Sequence, residues 1–160
     1  MSSKPHYGHI LGDGHGVRRT LTVSEYFNEK GGHFVNDAGS GLVTLVDATT
    51  DIPLGWAATG KLVGYGSNWF LAVATSEALI INGADDVYRI PAMSTVSISD
   101  IGKKYNIAYS GTNKTTSNFI QKIRNTGTTV ATGVLFEVVD VDQDDIDNQT
   151  LQVRMTFNIA

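Results

Sequence analysis

The chain of 160 residues contains no cysteine, which excludes disulfides, thiolate catalysis and zinc or iron–sulfur sites built from cysteine. It has only 3 prolines, and charged residues make up 18% of it, below the usual quarter. No apolar run approaches the roughly 18 residues of a transmembrane helix. The first residues also lack the basic region followed by an apolar run that marks a secretory signal. Cations are also few, since 12 Lys and Arg stand against 16 Asp and Glu, a formal net charge of −4. Binding to nucleic acid by counterion release is therefore disfavoured, and we expect neither a nucleic-acid nor a membrane partner.

Short apolar segments separated by turn residues make up most of the chain, as expected for a β protein with 17 glycines. The predicted strands cover residues 32–35, 41–46, 56–62, 68–75, 78–81, 87–91, 105–109, 118–124, 134–141 and 150–159. The turn over 36–40 predicts a hairpin between the first two strands. Strands at this spacing with almost no helix indicate an all-β fold, an antiparallel sandwich or a Greek-key barrel, over residues 32–160.

The strand over 150–159 has the most regular pattern in the chain. Its apolar positions are Leu151, Val153, Met155, Phe157 and Ile159, and its polar positions are Gln152, Arg154, Thr156 and Asn158. Successive side chains of a strand point to opposite faces, so the pattern predicts one apolar and one polar face. Five such buried side chains predict a central strand with which earlier strands pair.

Residues 1–31 differ from the rest, because glycines at 8, 12, 14 and 16 leave few apolar side chains there. Such a segment cannot fold on itself, and we expect an extended N-terminal arm, with a boundary near residue 30, that lies on a neighbouring subunit or partner. The predicted partner-binding residues of this arm are the apolar anchors Tyr7, Ile10, Leu11 and Val17 and the cations Arg18 and Arg19. Arg18 and Arg19 suit pairing with carboxylates of a partner, with an ordinary solvated pair as the alternative.

Within the arm, Thr22 to Glu25 has the spacing of a capping box, which predicts a short helix over 25–30. The alternative is extended backbone, since Leu21, Val23 and Phe27 do not share one helical face.

Two groups of residues raise the question of a metal site. The acidic run from Asp140 to Asp147 resembles the start of a calcium loop, but Asp145 stands where an EF-hand needs glycine. A looser Ca²⁺ site stays open, and a solvated acidic turn is the preferred interpretation. The candidate ligands of a Zn²⁺ or Ni²⁺ site in the arm are His6, His9, Asp13 and His15. Their spacing matches no closed site, and we prefer a flexible arm whose histidines hydrogen-bond to a partner; we expect no metal and no cofactor.

Catalytic and ligand-binding patterns are equally scarce. The glycines of 12–16 lack the preceding strand and following helix that a dinucleotide loop requires. No nucleophile elbow is present, so we expect no enzymatic activity. The aromatic residues Trp56, Tyr65, Trp69 and Phe70 could form a platform for a sugar, although in a β protein such residues more often form the core.

The C-terminal half carries a resemblance through the order of its elements. VYRIPA leads to the turn Asp100-Ile-Gly-Lys103, an alternating strand over 105–109 and the polar loop SGTNKTTS over 110–117. The segment FEVVD over 136–140 then leads to the acidic loop 142–148 and the strand that starts at Leu151. This order resembles the small capsid decoration, or cement, proteins of tailed bacteriophages, whereas the N-terminal arm matches nothing in that family.

The resemblance implies a structural virion protein on the outer surface of a tailed-phage head. Its expected partners are the major capsid protein and other copies of itself, as a homotrimer. A carbohydrate-binding β module of a phage tail or a bacterial surface protein is the alternative.

Overall fold

A computed structural model describes residues 8–28, 33–39, 41–46, 54–58, 69–83, 85–110, 120–125 and 136–155. This part of the chain is nearly all β, with antiparallel sheets and one small closed barrel, which confirms the predicted fold class. The strands are β1 (Gly8–Leu11), β2 (Gly16–Leu21), β3 (Tyr26–Asn28), β4 (His33–Gly39), β5 (Leu42–Leu45), β6 (Gly55–Ala58), β7 (Trp69–Leu71), β8 (Glu77–Ile81), β9 (Val87–Pro91), β10 (Lys104–Tyr105), β11 (Ile107–Ser110), β12 (Ile120–Ile123), β13 (Phe136–Asp140) and β14 (Thr150–Met155). The helical elements are a 3₁₀ turn over Ile98–Asp100 and α1 (Gln143–Asn148).

A five-stranded antiparallel sheet has the order β1-β9-β14-β13-β10, so β14 is its central strand, as the sequence predicts. Leu151 and Val153 are fully buried and Met155 is half-buried, while Phe157 and Ile159 lie outside the described residues. The polar positions Thr150 and Gln152 are buried as well. The simple alternation therefore predicts the apolar face of β14 correctly. It does not predict that α1 packs over the polar face and buries it.

The second unit is a closed barrel of order β2-β5-β4-β6-β8. The predicted hairpin is confirmed, because β4 and β5 pair antiparallel with Val35 opposite Leu45. The predicted turn over 36–40 is wrong for residues 36–39, which continue β4 and pair with β5. The barrel closes where β2 meets β5 in parallel at Thr20 and Leu21.

Barrel strands bury side chains on both faces. Phe34, Trp56 and Ile81 point outward and pack on the five-stranded sheet, in one core with Tyr88 and Phe136. The sequence neighbours of these residues point to the opposite side of each strand and fill the barrel; they are Val35, Ala57 and Ile80. Apolar runs in this region are consequently continuous, since neither face meets water.

The hairpin of β11 and β12 joins the two units through one buried amide. Gln121 is fully buried, accepts a hydrogen bond from the Phe34 N–H at 2.8 Å and donates to the Phe34 carbonyl at 2.7 Å. The same amide nitrogen donates to the Val46 carbonyl at 3.0 Å. The Gln121 side chain thus extends the hydrogen bonding of β4 at the point where β5 ends.

The prediction of an N-terminal arm separate from the body is wrong for residues 8–28. β1 pairs with β9, β2 pairs with β8 along Gly16–Thr20, and β3 pairs with β7. These residues are ordered by strands of their own chain, so the boundary near residue 30 is not a boundary between arm and body. Residues 1–7, including Tyr7, lie outside the described part.

Of the two alternatives for 25–30, the extended backbone is confirmed and the short helix is wrong where the structure describes this segment, because β3 occupies 26–28. The capping-box residues serve β5 instead. The Thr22 hydroxyl donates to the Val43 carbonyl at 2.8 Å, and the buried Glu25 carboxylate accepts from the Leu45 N–H at 3.0 Å and from the Thr44 hydroxyl. Residues 29–31 lie outside the described part.

Two other predicted strands have different limits. The strand over 105–109 divides at Asn106 into β10, in the five-stranded sheet, and β11, in the hairpin. The strand predicted over 56–62 is β6 at Gly55–Ala58, and residues 59–62 lie outside the described part.

Candidate partner-binding surface

The loop between β1 and β2 is held by one buried carboxylate. Asp86 is 3% exposed, and its Oδ1 contacts His9 Nε2 at 2.9 Å and accepts from the Gly14 N–H at 3.1 Å. Its Oδ2 accepts from the Gly83 N–H at 2.9 Å. Burying a carboxylate is costly unless it is hydrogen-bonded, and here His9 of β1, Gly14 of the β1–β2 loop and Gly83 of the β8–β9 turn satisfy it. The loop is consequently fixed to the β8–β9 turn.

Two glycines of this region, Gly12 and Gly83, are required by the close approach to Asp86. Gly12 has φ of +101°, and a Cβ there would lie 2.3 Å from Asp86 Oδ1. Gly14 has φ of +66°, and a Cβ on Gly83 would lie 2.5 Å from Asp86 Oδ2. The glycine content that predicts disorder therefore has the opposite meaning here, because it permits tight packing of the loop.

The sequence-predicted contact residues divide into exposed and internal ones. Leu11 and Val17 are 59% and 68% exposed, and Arg18 is exposed too. Ile10 is half-buried in β1. Arg19 is turned towards its own chain, since Nε donates to the Gly41 carbonyl at 3.0 Å and a terminal nitrogen lies 3.7 Å from the Asp37 carboxylate. The name β1–β2 surface is used below for Leu11, Val17 and Arg18. Val17 and Arg18 are adjacent in β2, so their side chains point to opposite sides of that strand.

One edge of β2 has no neighbouring strand along most of its length in the described part of the chain. β2 pairs with β8 from Gly16 to Thr20, but its parallel pairing with β5 covers only Thr20 and Leu21. Val17 and Arg18 lie on this open stretch. An unpaired strand edge exposes N–H and C=O groups that can pair with another chain.

The acidic run before β14 forms α1 and not a turn; Asp140, Asp142, Asp144 and Asp147 are exposed, as the preferred interpretation predicts, but Asp145 is buried. Asp142 caps α1, and its carboxylate accepts from the Asp145 N–H at 2.9 Å. Asp145 is fully buried and accepts from Thr150 Oγ1 at 2.8 Å, Gln152 Nε2 at 2.7 Å and Arg89 Nε at 2.8 Å. Asp145 therefore fastens α1 onto β9 and β14.

Opposing effects act on the Asp145 carboxyl. Burial raises its pKa, but the hydrogen bonds from the Asp142 N–H, Gln152 and Thr150, together with the Arg89 charge, outweigh burial and lower the pKa below its usual value. The side chain is thus held ionised by its hydrogen-bond donors.

No group of three or more metal-ligating side chains occurs among the residues that the structure describes. In the predicted histidine cluster, His9 bonds to Asp86 of its own chain, while Asp13 and His15 are exposed. The interpretation of a flexible arm whose histidines contact a partner is therefore wrong for His9, and His6 lies outside the described residues.

Trp56 cannot belong to an exposed aromatic platform for a sugar, because it is only 1% exposed. Its ring lies 4.7 Å from Phe34 in an edge contact and 5.5 Å from Tyr88 in a stacked one. The core interpretation is confirmed for this residue. Tyr65 and the side chains of Trp69 and Phe70 lie outside the described part.

Two further places expose large apolar side chains that the sequence analysis did not select. Val23, Leu71 and Val73 are 46–55% exposed near the pairing of β3 with β7. Ile98 and Ile101 are 66% and 42% exposed on the 3₁₀ turn. The sequence signal for the second pair was their spacing of three residues in a polar segment.

No family model, curated protein or solved structure matches this chain. Within the described residues, no helix is both long and apolar enough to cross a membrane.

Proposed function

We propose that the protein is a structural decoration protein that binds the outside of a tailed-phage head through the β1–β2 surface. The observation that supports this is the combination of exposure and rigidity at that surface. Leu11 and Val17 are more than half exposed, yet their strands are anchored to β9 and β8 and joined by the loop that Asp86 holds. Apolar side chains held rigidly in water lose little conformational entropy when a partner covers them.

The chemistry of the surface suits a protein partner. Val17 offers apolar area, Arg18 can form a bidentate pair with a carboxylate, and the open edge of β2 can accept a strand from the head protein. The major capsid protein is the partner we propose, with copies of the chain associated around the attachment point as a homotrimer.

Stabilisation of the shell follows from selective binding. A protein that binds the assembled shell and not its separated subunits lowers the free energy of the assembled state. Such a protein needs no cofactor and no enzymatic activity.

The carbohydrate-binding alternative is weakened by the burial of Trp56, since a stacking platform must be exposed. A glycan array of the purified protein separates the two functions. A hit that Trp69→Ala abolishes, with the melting temperature unchanged, would favour the sugar-binding function.

The direct test uses tailed-phage particles that are purified on a density gradient from the organism that encodes this chain. Mass spectrometry should find the protein in the particles, and cryo-electron microscopy should place it outside the shell. Particles that lack the protein, or hold it in the tail or the interior, would overturn the proposal.

Variants then test the surface on particles stripped of the protein. Val17→Asp and Arg18→Glu should reduce occupancy strongly while the melting temperature stays close to that of the parent. Val73→Asp, at a 55% exposed site between β7 and β8, is the matched control and should bind as the parent does. Equal loss for Val17→Asp and Val73→Asp would show that the β1–β2 surface is not the attachment site.

A further inference from the structure

The end of the five-stranded sheet carries an exposed surface that is distinct from the β1–β2 surface. The Ala92 N–H donates to the Gln149 carbonyl at 2.9 Å, just after α1, and the Gly102 N–H donates to the Val138 carbonyl at 2.8 Å, shortly before α1. The segment over 92–104 therefore leaves and rejoins the sheet on the two sides of α1. The exposed residues of this segment and of α1 are called here the sheet-end surface; they are Ile98, Ile101, Lys103, Lys104, Asp144 and Asp147.

One part of the sheet-end surface is apolar and basic. Ile98 and Ile101 are 66% and 42% exposed, and the Ile101 N–H donates to the Ile98 carbonyl at 3.1 Å. Side chains three residues apart on a 3₁₀ turn lie on the same side of it. Lys103 and Lys104 follow directly and are exposed, and no carboxylate of the described residues lies within ion-pair distance of either.

The other part is acidic. Asp144 and Asp147 are exposed on α1, and their spacing of three residues places them on one face of the helix. Asp147 accepts from Gln143 Nε2 at 3.0 Å, but neither carboxylate pairs with a cation in the described part of the chain. The ordered Asp142, Asp145 and Arg89 contacts beneath hold this face in place.

We propose that the sheet-end surface binds a second copy of this chain, with Lys103 and Lys104 of one copy facing Asp144 and Asp147 of the other. These lysines and aspartates have no oppositely charged partner within the described chain, and they can pair with each other when two such surfaces meet. The same contact buries Ile98 and Ile101. A chain with net charge −4 repels its own copies over most of its surface. The paired patches supply the local complementarity that overcomes this repulsion.

This inference names the surface through which copies associate, and it does not depend on attachment to a phage head. A two-fold arrangement uses both contacts reciprocally, because one surface carries both patches. A closed ring uses the same two patches head to tail.

The first experiment measures the mass of the purified chain by sedimentation velocity from micromolar to near-millimolar concentrations. We expect species larger than one chain, which dissociate as salt is raised, since the screening length falls from about 10 Å at 0.1 M to about 3 Å at 1 M. A single-chain mass at every concentration and low salt would overturn the proposal.

The second experiment removes the apolar contact. The double variant Ile98→Ser, Ile101→Ser should associate about tenfold or more weakly with little change in melting temperature, because both side chains are exposed. Val73→Ser is the matched control, since Val73 is 55% exposed between β7 and β8, and it should associate as the parent does. The proposal fails if the control and the double variant behave alike.

The third experiment exchanges the charges. Lys103→Glu with Lys104→Glu, and separately Asp144→Lys with Asp147→Lys, should each weaken association. The chain that carries all four changes should associate again, because every contact is then restored with reversed sign. Mixing the two double variants restores association fully in a two-fold dimer and partly in a ring of three, where one like-charged contact remains. If neither the fourfold variant nor the mixture recovers, these lysines do not face these aspartates and the proposal is overturned.

Discussion

Replacing Gln121 with methionine is expected to weaken the connection between the β11–β12 hairpin and the barrel. Gln121 is fully buried, and its amide hydrogen-bonds to the Phe34 N–H, the Phe34 carbonyl and the Val46 carbonyl at 2.8, 2.7 and 3.0 Å. Methionine has a similar length and volume but no amide. The change therefore removes the hydrogen bonds while most of the packing is kept.

The cost follows from what each backbone group retains. The Phe34 carbonyl still accepts from the Val46 N–H at 3.1 Å, so this oxygen keeps one partner. The Phe34 N–H and the Val46 carbonyl lose their bond to Gln121, and a buried group left without a partner costs about 1–3 kcal/mol. The expected loss is about 2–6 kcal/mol, a large part of the roughly 5–15 kcal/mol that stabilises a typical domain.

Urea unfolding followed by circular dichroism measures this loss. At a slope of about 1–3 kcal/mol per molar urea, the midpoint should fall by about 1 M or more with the slope unchanged. Gln143→Met is the matched control, because Gln143 is exposed and bonds only to Asp147 of α1 among the described residues; it should change stability by no more than about 0.5 kcal/mol.

A further variant tests the direction of the effect. Gln121→Glu keeps an acceptor for the Phe34 N–H but, when ionised, directs a buried carboxylate at two carbonyl oxygens. It should therefore be less stable than Gln121→Met. If Gln121→Met unfolds at the parent midpoint, or Gln121→Glu is the more stable of the two, the amide does not hold the hairpin and the reasoning is refuted.

Three further predictions concern the buried carboxylates and the core. Because the pKa of Asp145 is lowered in the fold from its ordinary value of 3.8, its ionisation stabilises the protein above that value, and this contribution is lost as pH falls through the folded pKa. At neutral pH, Asp145→Asn should lower the free energy of unfolding by about 3 kcal/mol. Urea unfolding at a series of lower pH values should then show a smaller further loss for this variant than for the parent. An equal acid-induced loss in both proteins would contradict the lowered pKa. Gly12→Ala should cost clearly more than Gly41→Ala in thermal unfolding, since both have positive φ but only the Cβ at Gly12 meets an atom, Asp86 Oδ1 at 2.3 Å; equal costs would show that the approach to Asp86 is not tight. Trp56→Ala should cost about 3–5 kcal/mol as a core truncation, and a melting temperature equal to that of the parent would place the indole outside the core.

Local patterns predicted the strands well where one face is apolar. The alternation over 150–155 identifies the central strand, because that signal depends on neighbours in sequence. The turn residues from Asn36 indicate the β4–β5 hairpin but not its turn, since residues 36–39 themselves belong to β4. The division of the strand at Asn106 was not predictable in this way. Its two halves alternate in one register but pair with different partners, β13 and β12, far along the chain.

The candidate surface shows the same limit. Leu11, Val17 and Arg18 were selected from residue type alone, and the structure exposes all three, but the prediction of a free arm failed. Gly12 is explained by the close approach of Asp86, which lies more than 70 residues away in sequence. No local pattern connects the two. Arg19 is equally uninformative in sequence, since only the fold brings Gly41 and Asp37 to it.

The central position of β14 has a consequence for folding during synthesis. β9 and β13 do not pair with each other. Only β14, which follows both in the chain, joins them into one sheet. Until the ribosome releases β14, β9 can pair with β1 alone and β13 has only the two-residue β10. The edges of β9 and β13 that face β14 therefore stay unpaired until β14 emerges, although Tyr88 can already pack on Phe34 and Trp56 of the barrel. Non-local pairing of this kind folds slowly. A nascent chain stalled before residue 150 should accordingly be a target for chaperones and prone to aggregation.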